Sequence, residues 1–129
     1  MFYAASDRGD RKNTRAKEVL AGGERLVTSD HVLVETWFLL ASRVGPGAAE
    51  RYWEAVRAGA ATVEPVGAPD LEVAFAIAEI FPDQEFTIVD RTSFAVMQRL
   101  GVFRAATLDH HFAVFRFGRD RSRAFEIVR

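Results

Sequence analysis

Cysteine is absent from this chain of 129 residues, which excludes a disulfide framework, a thiolate nucleophile and any zinc or iron–sulfur site with Cys ligands. Long apolar runs are absent too, since no stretch reaches the ~18 residues that a membrane-spanning helix requires. The apolar residues 1–5 meet Asp7 too soon for a secretory signal peptide, and no basic stretch precedes them. These absences predict a soluble protein of the cytoplasm.

Neither sign of charge is in excess, because 17 basic and 18 acidic residues leave a formal net charge of −1. No overall field therefore indicates nucleic acid or an anionic membrane as a partner. The chain is instead rich in hydrophobic residues. Hydrophobic residues make up 49% of the sequence and include eleven Phe, which is enough for a core without disulfides or a structural metal.

The hydrophobic pattern predicts a single α/β domain over residues 1–129. Runs with helical spacing, bounded by Gly and Pro, predict helices over residues 15–21, 32–44, 48–58, 69–81 and 87–100. Short apolar runs predict strands over residues 25–29, 62–66, 105–108 and 123–128. Because strands and helices alternate along the chain, we expect a mainly parallel sheet.

Three carboxylates are candidate functional residues, and the first of them is Glu35. It lies within an apolar predicted helix, where Val32, Phe38 and Leu39 share its face. Since burial of an unpaired carboxylate is costly, we expect a cationic or protonated group to meet it. Either a metal or catalytic role, or a structural hydrogen bond to a Ser, an Arg or the backbone, would satisfy Glu35.

The other two acids stand at element boundaries, and each also has a structural explanation. Thr87 and Asp90 have the spacing of a capping box at a predicted helix start. Asp109 follows a predicted strand, where an Asp also caps the next turn. Acids at the carboxyl ends of parallel strands, however, stand where α/β sheets place their binding sites. Together the three acids offer the oxygen ligands that Mg²⁺ or Mn²⁺ prefers.

The histidines do not predict a zinc site. His31, His110 and His111 match no zinc-binding spacing, and the adjacent pair would project its two rings to different sides.

Three blocks of the sequence resemble the conserved blocks of PIN domains. They are Val32-Leu33-Val34-Glu35-Thr36, Asp90-Arg91-Thr92-Ser93-Phe94-Ala95-Val96-Met97 and Ala106-Thr107-Leu108-Asp109-His110-His111-Phe112. The second and third blocks are the specific ones. An Asp before a Ser-Phe helix, followed downstream by a Thr-Leu-Asp-x-His-Phe turn, is similar to the VapC-type toxins, and the likeness covers nearly the whole chain.

The resemblance implies a three-layer α/β/α fold around a parallel sheet. It also implies a Mg²⁺- or Mn²⁺-dependent endoribonuclease, usually a homodimer, that a cognate antitoxin protein holds inactive. In the family the acids hold the metal, which activates water for attack on an RNA phosphodiester. Glu35, Asp90 and Asp109 match three of the family's acids, and Thr107 matches the small hydroxyl residue beside the last of them.

The start of the chain departs from the family pattern. PIN domains begin with a short apolar strand that ends in Asp followed by Thr or Ser, whereas residues 1–5 resemble what comes just after that block. We therefore expect the chain to lack the first strand and its Asp. Two functions stay open on this basis: the ribonuclease, and a catalytically impaired PIN-like protein that binds antitoxin or RNA without cleaving. A phosphoacceptor domain is disfavoured, because neither Lys12 nor Lys17 lies near the last strand.

Overall fold

The computed structural model describes residues 14, 17, 18, 21, 25–107 and 111–128. Contacts divide the chain into two compact units, Met1–Pro65 and Val66–Arg129, which are described separately. The expected loss of a first strand concerns the start of the chain, outside the described residues. Within the described part, no helix has the length and apolar character needed to cross a membrane.

The first unit is built on a pair of parallel strands. Its elements, in chain order, are strand β1 (Val27–Ser29), helix α1 (Asp30–Arg43), helix α2 (Pro46–Ala55), a π-helical turn (Val56–Ala60) and strand β2 (Thr62–Glu64). β1 and β2 are parallel, with Val27 opposite Thr62. Parallel strands need a crossover connection, and the two helices supply it. Both strands are shorter than the sequence predicts.

The core of the first unit is small and contains aliphatic side chains and one tyrosine. Leu40 of α1 and Ala49 of α2 are fully buried and pack with Tyr52 and Val56. Helix α1 begins directly after β1, because Oγ of Ser29 accepts the N–H of Val32 at 3.1 Å and caps the helix.

The second unit also contains one parallel strand pair. Its elements are helix α3 (Ala68–Ile80), helix α4 (Ile88–Leu100), strand β3 (Arg104–Ala106), helix α5 (His111–Val114), a 3₁₀ turn (Arg119–Arg121) and strand β4 (Glu126–Val128). β3 and β4 are parallel, with Ala105 opposite Ile127. The strand predicted over residues 123–128 is shorter, because Arg123 instead forms an antiparallel bridge with Phe117. Both described strand pairs are parallel, as predicted.

Phenylalanine dominates the core of the second unit. The buried cluster contains Ile77, Phe86, Phe94, Ala105, Phe115, Phe117 and Phe125. Phe94 is fully buried at its centre, and its ring stacks on that of Phe115 with centroids 4.3 Å apart. The ring of Phe86 meets Phe94 edge-on at 5.2 Å. These rings give the start of α4 a rigid, apolar support.

Two arginines of α4 form hydrogen bonds with residues of α3. Nε and Nη2 of Arg99 donate to the two carboxylate oxygens of buried Asp70, at 2.9 and 3.1 Å. Nη1 of Arg91 donates to the carbonyl of Ala74 at 2.9 Å. The Arg99 guanidinium, helped by a hydrogen bond from Gly67, holds the pKa of Asp70 below its usual range in spite of burial.

Candidate active site at the start of helix α4

Asp90 lies in the first turn of α4 and closes a capping box. Oγ1 of Thr87 accepts the Asp90 N–H at 3.1 Å, and Oδ2 of Asp90 accepts the Thr87 N–H at 2.9 Å. The carboxylate therefore satisfies a helix-terminal donor and lies at the positive end of the helix dipole. The structural explanation of the Thr87–Asp90 spacing is confirmed, but it uses only one of the two carboxylate oxygens.

The same oxygen also contacts a histidine from another helix. Nδ1 of His111, the first residue of α5, lies 2.8 Å from Oδ2 of Asp90. Both side chains are largely shielded from water, with exposed fractions of 19% for His111 and 11% for Asp90. Because an ionised carboxylate only accepts hydrogen bonds, Nδ1 is the donor in this contact. A hydrogen bond to a charged acceptor is short and strong in such a setting.

Aromatic rings hold the imidazole in place. The Phe86 ring packs against His111 nearly perpendicular to it, at 87°, with centroids 5.4 Å apart. The next residue, Phe112, packs edge-on against the fully buried Phe94 at 4.9 Å. The orientation of His111 is thus set by the aromatic core, and through His111 the core orients the carboxylate of Asp90.

Oδ1 of Asp90 accepts no hydrogen bond within the described part of the chain. The neighbouring hydroxyls do not compete for it, because Thr92 donates to the carbonyl of Ile88 and Ser93 to that of Val89. A carboxylate with one oxygen held by two donors, and the other left to accept a further ligand, is suited to a hard cation such as Mg²⁺ or Mn²⁺.

The third predicted block is only partly described. Thr107 is buried directly after β3, at the carboxyl end of a parallel strand, where a site is expected. Asp109 lies outside the described residues, so its part in the site stays a prediction.

The expectation that Glu35 is buried is wrong. Glu35 is exposed on α1, and its neighbours Val34 and Phe38 are exposed as well. The buried residues of α1 are instead Thr36 and Leu40: Leu40 packs with Ala49 and Tyr52 of α2, and Thr36 hydrogen-bonds with Tyr52. An exposed carboxylate avoids the desolvation cost on which the expectation rested.

A complete metal site is not visible in the described part of the chain. There, no three His, Cys, Asp or Glu side chains are grouped closely enough to hold an ion. Asp109 is outside those residues, and Glu35 and Asp90 belong to different units. The convergence of the three acids stays a prediction, and the hydrogen bonds of Asp90 described above are the geometry available for the site.

The sequence patterns gave no role to two residues that the structure brings into contact with acids. The sequence spacing tests His111 only as a zinc ligand, although His111 is the histidine of the Thr-Leu-Asp-x-His-Phe block. Asp70 follows Pro69 at a predicted helix start, which indicates a cap. Its pairing with Arg99 has no local signal, because the two residues lie on different helices.

Comparison with known proteins extends this description. Residues 1–118 match the model of the PIN domain. Two curated relatives, each a 23S rRNA-specific endonuclease VapC20, come from Mycobacterium tuberculosis strains CDC 1551 and H37Rv. Each is 36% identical over 118 residues, with 90% of either chain covered.

The fold is similar to that of a solved structure as well. The crystal structure of Mycobacterium tuberculosis VapC20, described as a sarcin–ricin loop cleaving toxin, superposes with a TM-score of 0.81 and 36% identity over 88% of both chains. This likeness confirms the predicted α/β fold.

Proposed function

The chain belongs to the PIN-domain family, as an endoribonuclease toxin of the VapC type, and we propose that it acts through a bound Mg²⁺ or Mn²⁺ ion. Glu35, Asp90 and Asp109 hold the ion in this proposal, and Thr107 supports Asp109. The observation that carries it is the carboxylate of Asp90, which gives Oδ2 to two protein donors and keeps Oδ1 without one among the described residues.

The reaction is hydrolysis of an RNA phosphodiester. Water adds its oxygen to phosphorus, one P–O bond to a ribose breaks, and the leaving oxygen takes up a proton. A bound divalent ion supplies the positive charge that activates the water and offsets the negative charge that builds on the phosphoryl oxygens. The protein contributes anionic ligands. Thr87 and His111 orient the carboxylate of Asp90, and the Phe86 ring supports His111.

As substrate we propose ribosomal RNA, with the sarcin–ricin loop as the first sequence to test. The support is the likeness to VapC20, which extends over about nine-tenths of both chains. The location that this substrate implies is the cytoplasm.

Two protein partners are also proposed: a cognate antitoxin that covers the acidic site, and a second copy of the chain in a homodimer. Large apolar side chains exposed on helices support such contacts, since isolated domains seldom leave several of them together in water. Among them are Val34 (52% exposed) and Phe38 (64%) on α1, and Leu71 (43%) and Phe75 (64%) on α3.

The proposed function is tested by cleavage of a sarcin–ricin loop RNA with the purified chain. We expect cleavage only with Mg²⁺ or Mn²⁺. Asp90→Asn, Glu35→Gln and Asp109→Asn should each lower the rate by at least about 100-fold, because outer-shell partners of metal ligands alone are worth ~10–100-fold.

Two exposed acids provide matched controls. Asp83→Asn and Glu50→Gln remove the same charges from surface positions and should leave the cleavage rate unchanged. A wild-type chain that binds the RNA or the antitoxin, yet cleaves with neither metal, would be the impaired binding protein and would refute the enzymatic proposal.

A further inference from the structure

The two oxygens of the Asp90 carboxylate have different surroundings. Oδ2 accepts the Thr87 N–H at 2.9 Å and the Nδ1–H of His111 at 2.8 Å, whereas Oδ1 accepts no hydrogen bond among the described residues. We infer that His111 is a positioning residue of the metal site, which directs Oδ1 of Asp90 toward the ion. The inference rests on the proposed function, because it assumes that Asp90 is a metal ligand.

The two donors on Oδ2 come from different parts of the chain. The Thr87 N–H belongs to the backbone before α4, and the imidazole belongs to α5. One donor alone leaves the carboxylate able to rotate about its Cβ–Cγ bond, whereas two donors in different directions restrict that rotation. Ligating carboxylates are commonly held in this way by hydrogen bonds from outer residues.

The position of the His111 donor is itself determined by packing. The imidazole lies edge-on to Phe86, and Phe112 anchors the following residue against Phe94. In the sequence, His111 stands two residues after Asp109, a second predicted ligand. The contact between His111 and Asp90 therefore links the segment that follows Asp109 in the sequence to helix α4, which carries Asp90.

Two substitutions separate the hydrogen bond of His111 from its packing. His111→Phe keeps an aromatic ring against Phe86 but removes the N–H donor. His111→Asn removes the ring but places a side-chain N–H close to the position of Nδ1. A positioning role requires the donor, whereas a merely structural role requires the ring, so the two roles predict opposite orders for these variants.

The test measures the affinity of the purified full chain for Mn²⁺ in the absence of RNA. Electron paramagnetic resonance gives the concentration of free Mn²⁺ at each step of the titration. We expect His111→Phe to weaken Mn²⁺ binding by about 10–100-fold, the range for outer-shell partners of metal ligands, while His111→Asn stays close to wild type. Thermal unfolding of each variant is measured alongside. A loss of Mn²⁺ affinity in His111→Phe without a lower unfolding temperature supports the inference.

Two results would overturn the inference, and they differ from failure of the proposed function. Wild-type affinity in His111→Phe, or weaker binding in His111→Asn than in His111→Phe, shows that the donor does not position the ligand. If wild type and Asp90→Asn bind Mn²⁺ equally, Asp90 is not a ligand, and the metal site and the inference fail together. RNA cleavage by His111→Phe should recover at high Mn²⁺ concentration, since only the affinity for the ion is reduced.

Discussion

One predicted acid in each compact unit is described by the structure, and these two acids differ in their surroundings. In the first unit Glu35 lies exposed on α1, beside the exposed side chains of Val34 and Phe38. In the second unit Asp90 is largely shielded, caps α4 and contacts His111. A carboxylate is thus exposed in one unit and largely shielded from water in the other.

The difference between the units follows from their cores. Leu40, Ala49 and Tyr52 give the first unit a small core that fixes which face of α1 packs inward, and Glu35 is not on that face. The second unit surrounds Phe94 with further rings that reach as far as His111. The hydrogen bonds of Asp90 are therefore held in place by packing within the second unit.

The largest effect on stability that we expect within this comparison concerns Asp70 of the second unit, whose buried carboxylate pairs with Arg99. Asp70→Asn removes the bidentate pair with Arg99 and should cost about 1–2 kcal/mol near neutral pH, a modest value because the Arg99 side chain is 40% exposed. The pKa of Asp70 is lowered in the folded protein, so its contribution is full above the unfolded pKa.

Acid should remove that contribution. The pKa of Asp70 in the unfolded chain is about 3.9, and its pKa in the folded protein is lower. As the pH falls through this range, the contribution of the charged carboxylate to the free energy of unfolding is lost. Urea unfolding of the wild type and of Asp70→Asn should therefore converge in acid. A difference that is equally large at neutral and acid pH would show that the ion pair is not its source.

A smaller and more even effect is expected from the two helix caps. Ser29→Ala in the first unit and Thr87→Ala in the second each remove one cap and should each cost about 1 kcal/mol of unfolding free energy. Neither should change Mn²⁺ affinity, because Oδ2 of Asp90 keeps both of its donors in Thr87→Ala. Weaker Mn²⁺ binding in Thr87→Ala than in Ser29→Ala would show that the Thr87 hydroxyl, too, positions the ligand.

Local spacing explains which features could be predicted from the sequence. The start of α4 was predicted from Thr87 and Asp90, because a capping box depends only on residues three positions apart. The parallel strand pairs were predicted from alternation of elements, although their lengths were not, since pairing depends on the neighbouring strand.

Tertiary packing explains what could not be predicted. The exposure of Glu35 depends on which side of α1 lies against α2, and an apolar helix leaves more than one choice. The contact between Asp90 and His111 joins two helices, and no pattern within either helix specifies it. The family resemblance marked both residues but gave no role to the histidine.

The central claim is that Glu35, Asp90 and Asp109 share one divalent ion, and a crystal structure with Mn²⁺ tests it most directly. The account predicts an anomalous difference peak at ligand distance from Oδ1 of Asp90, about 2.0–2.3 Å away, with the carboxylates of Glu35 and Asp109 around it. A peak bound through Oδ2, or any pair of these carboxylates more than about 12 Å apart, too far to share an ion even through its waters, would contradict it.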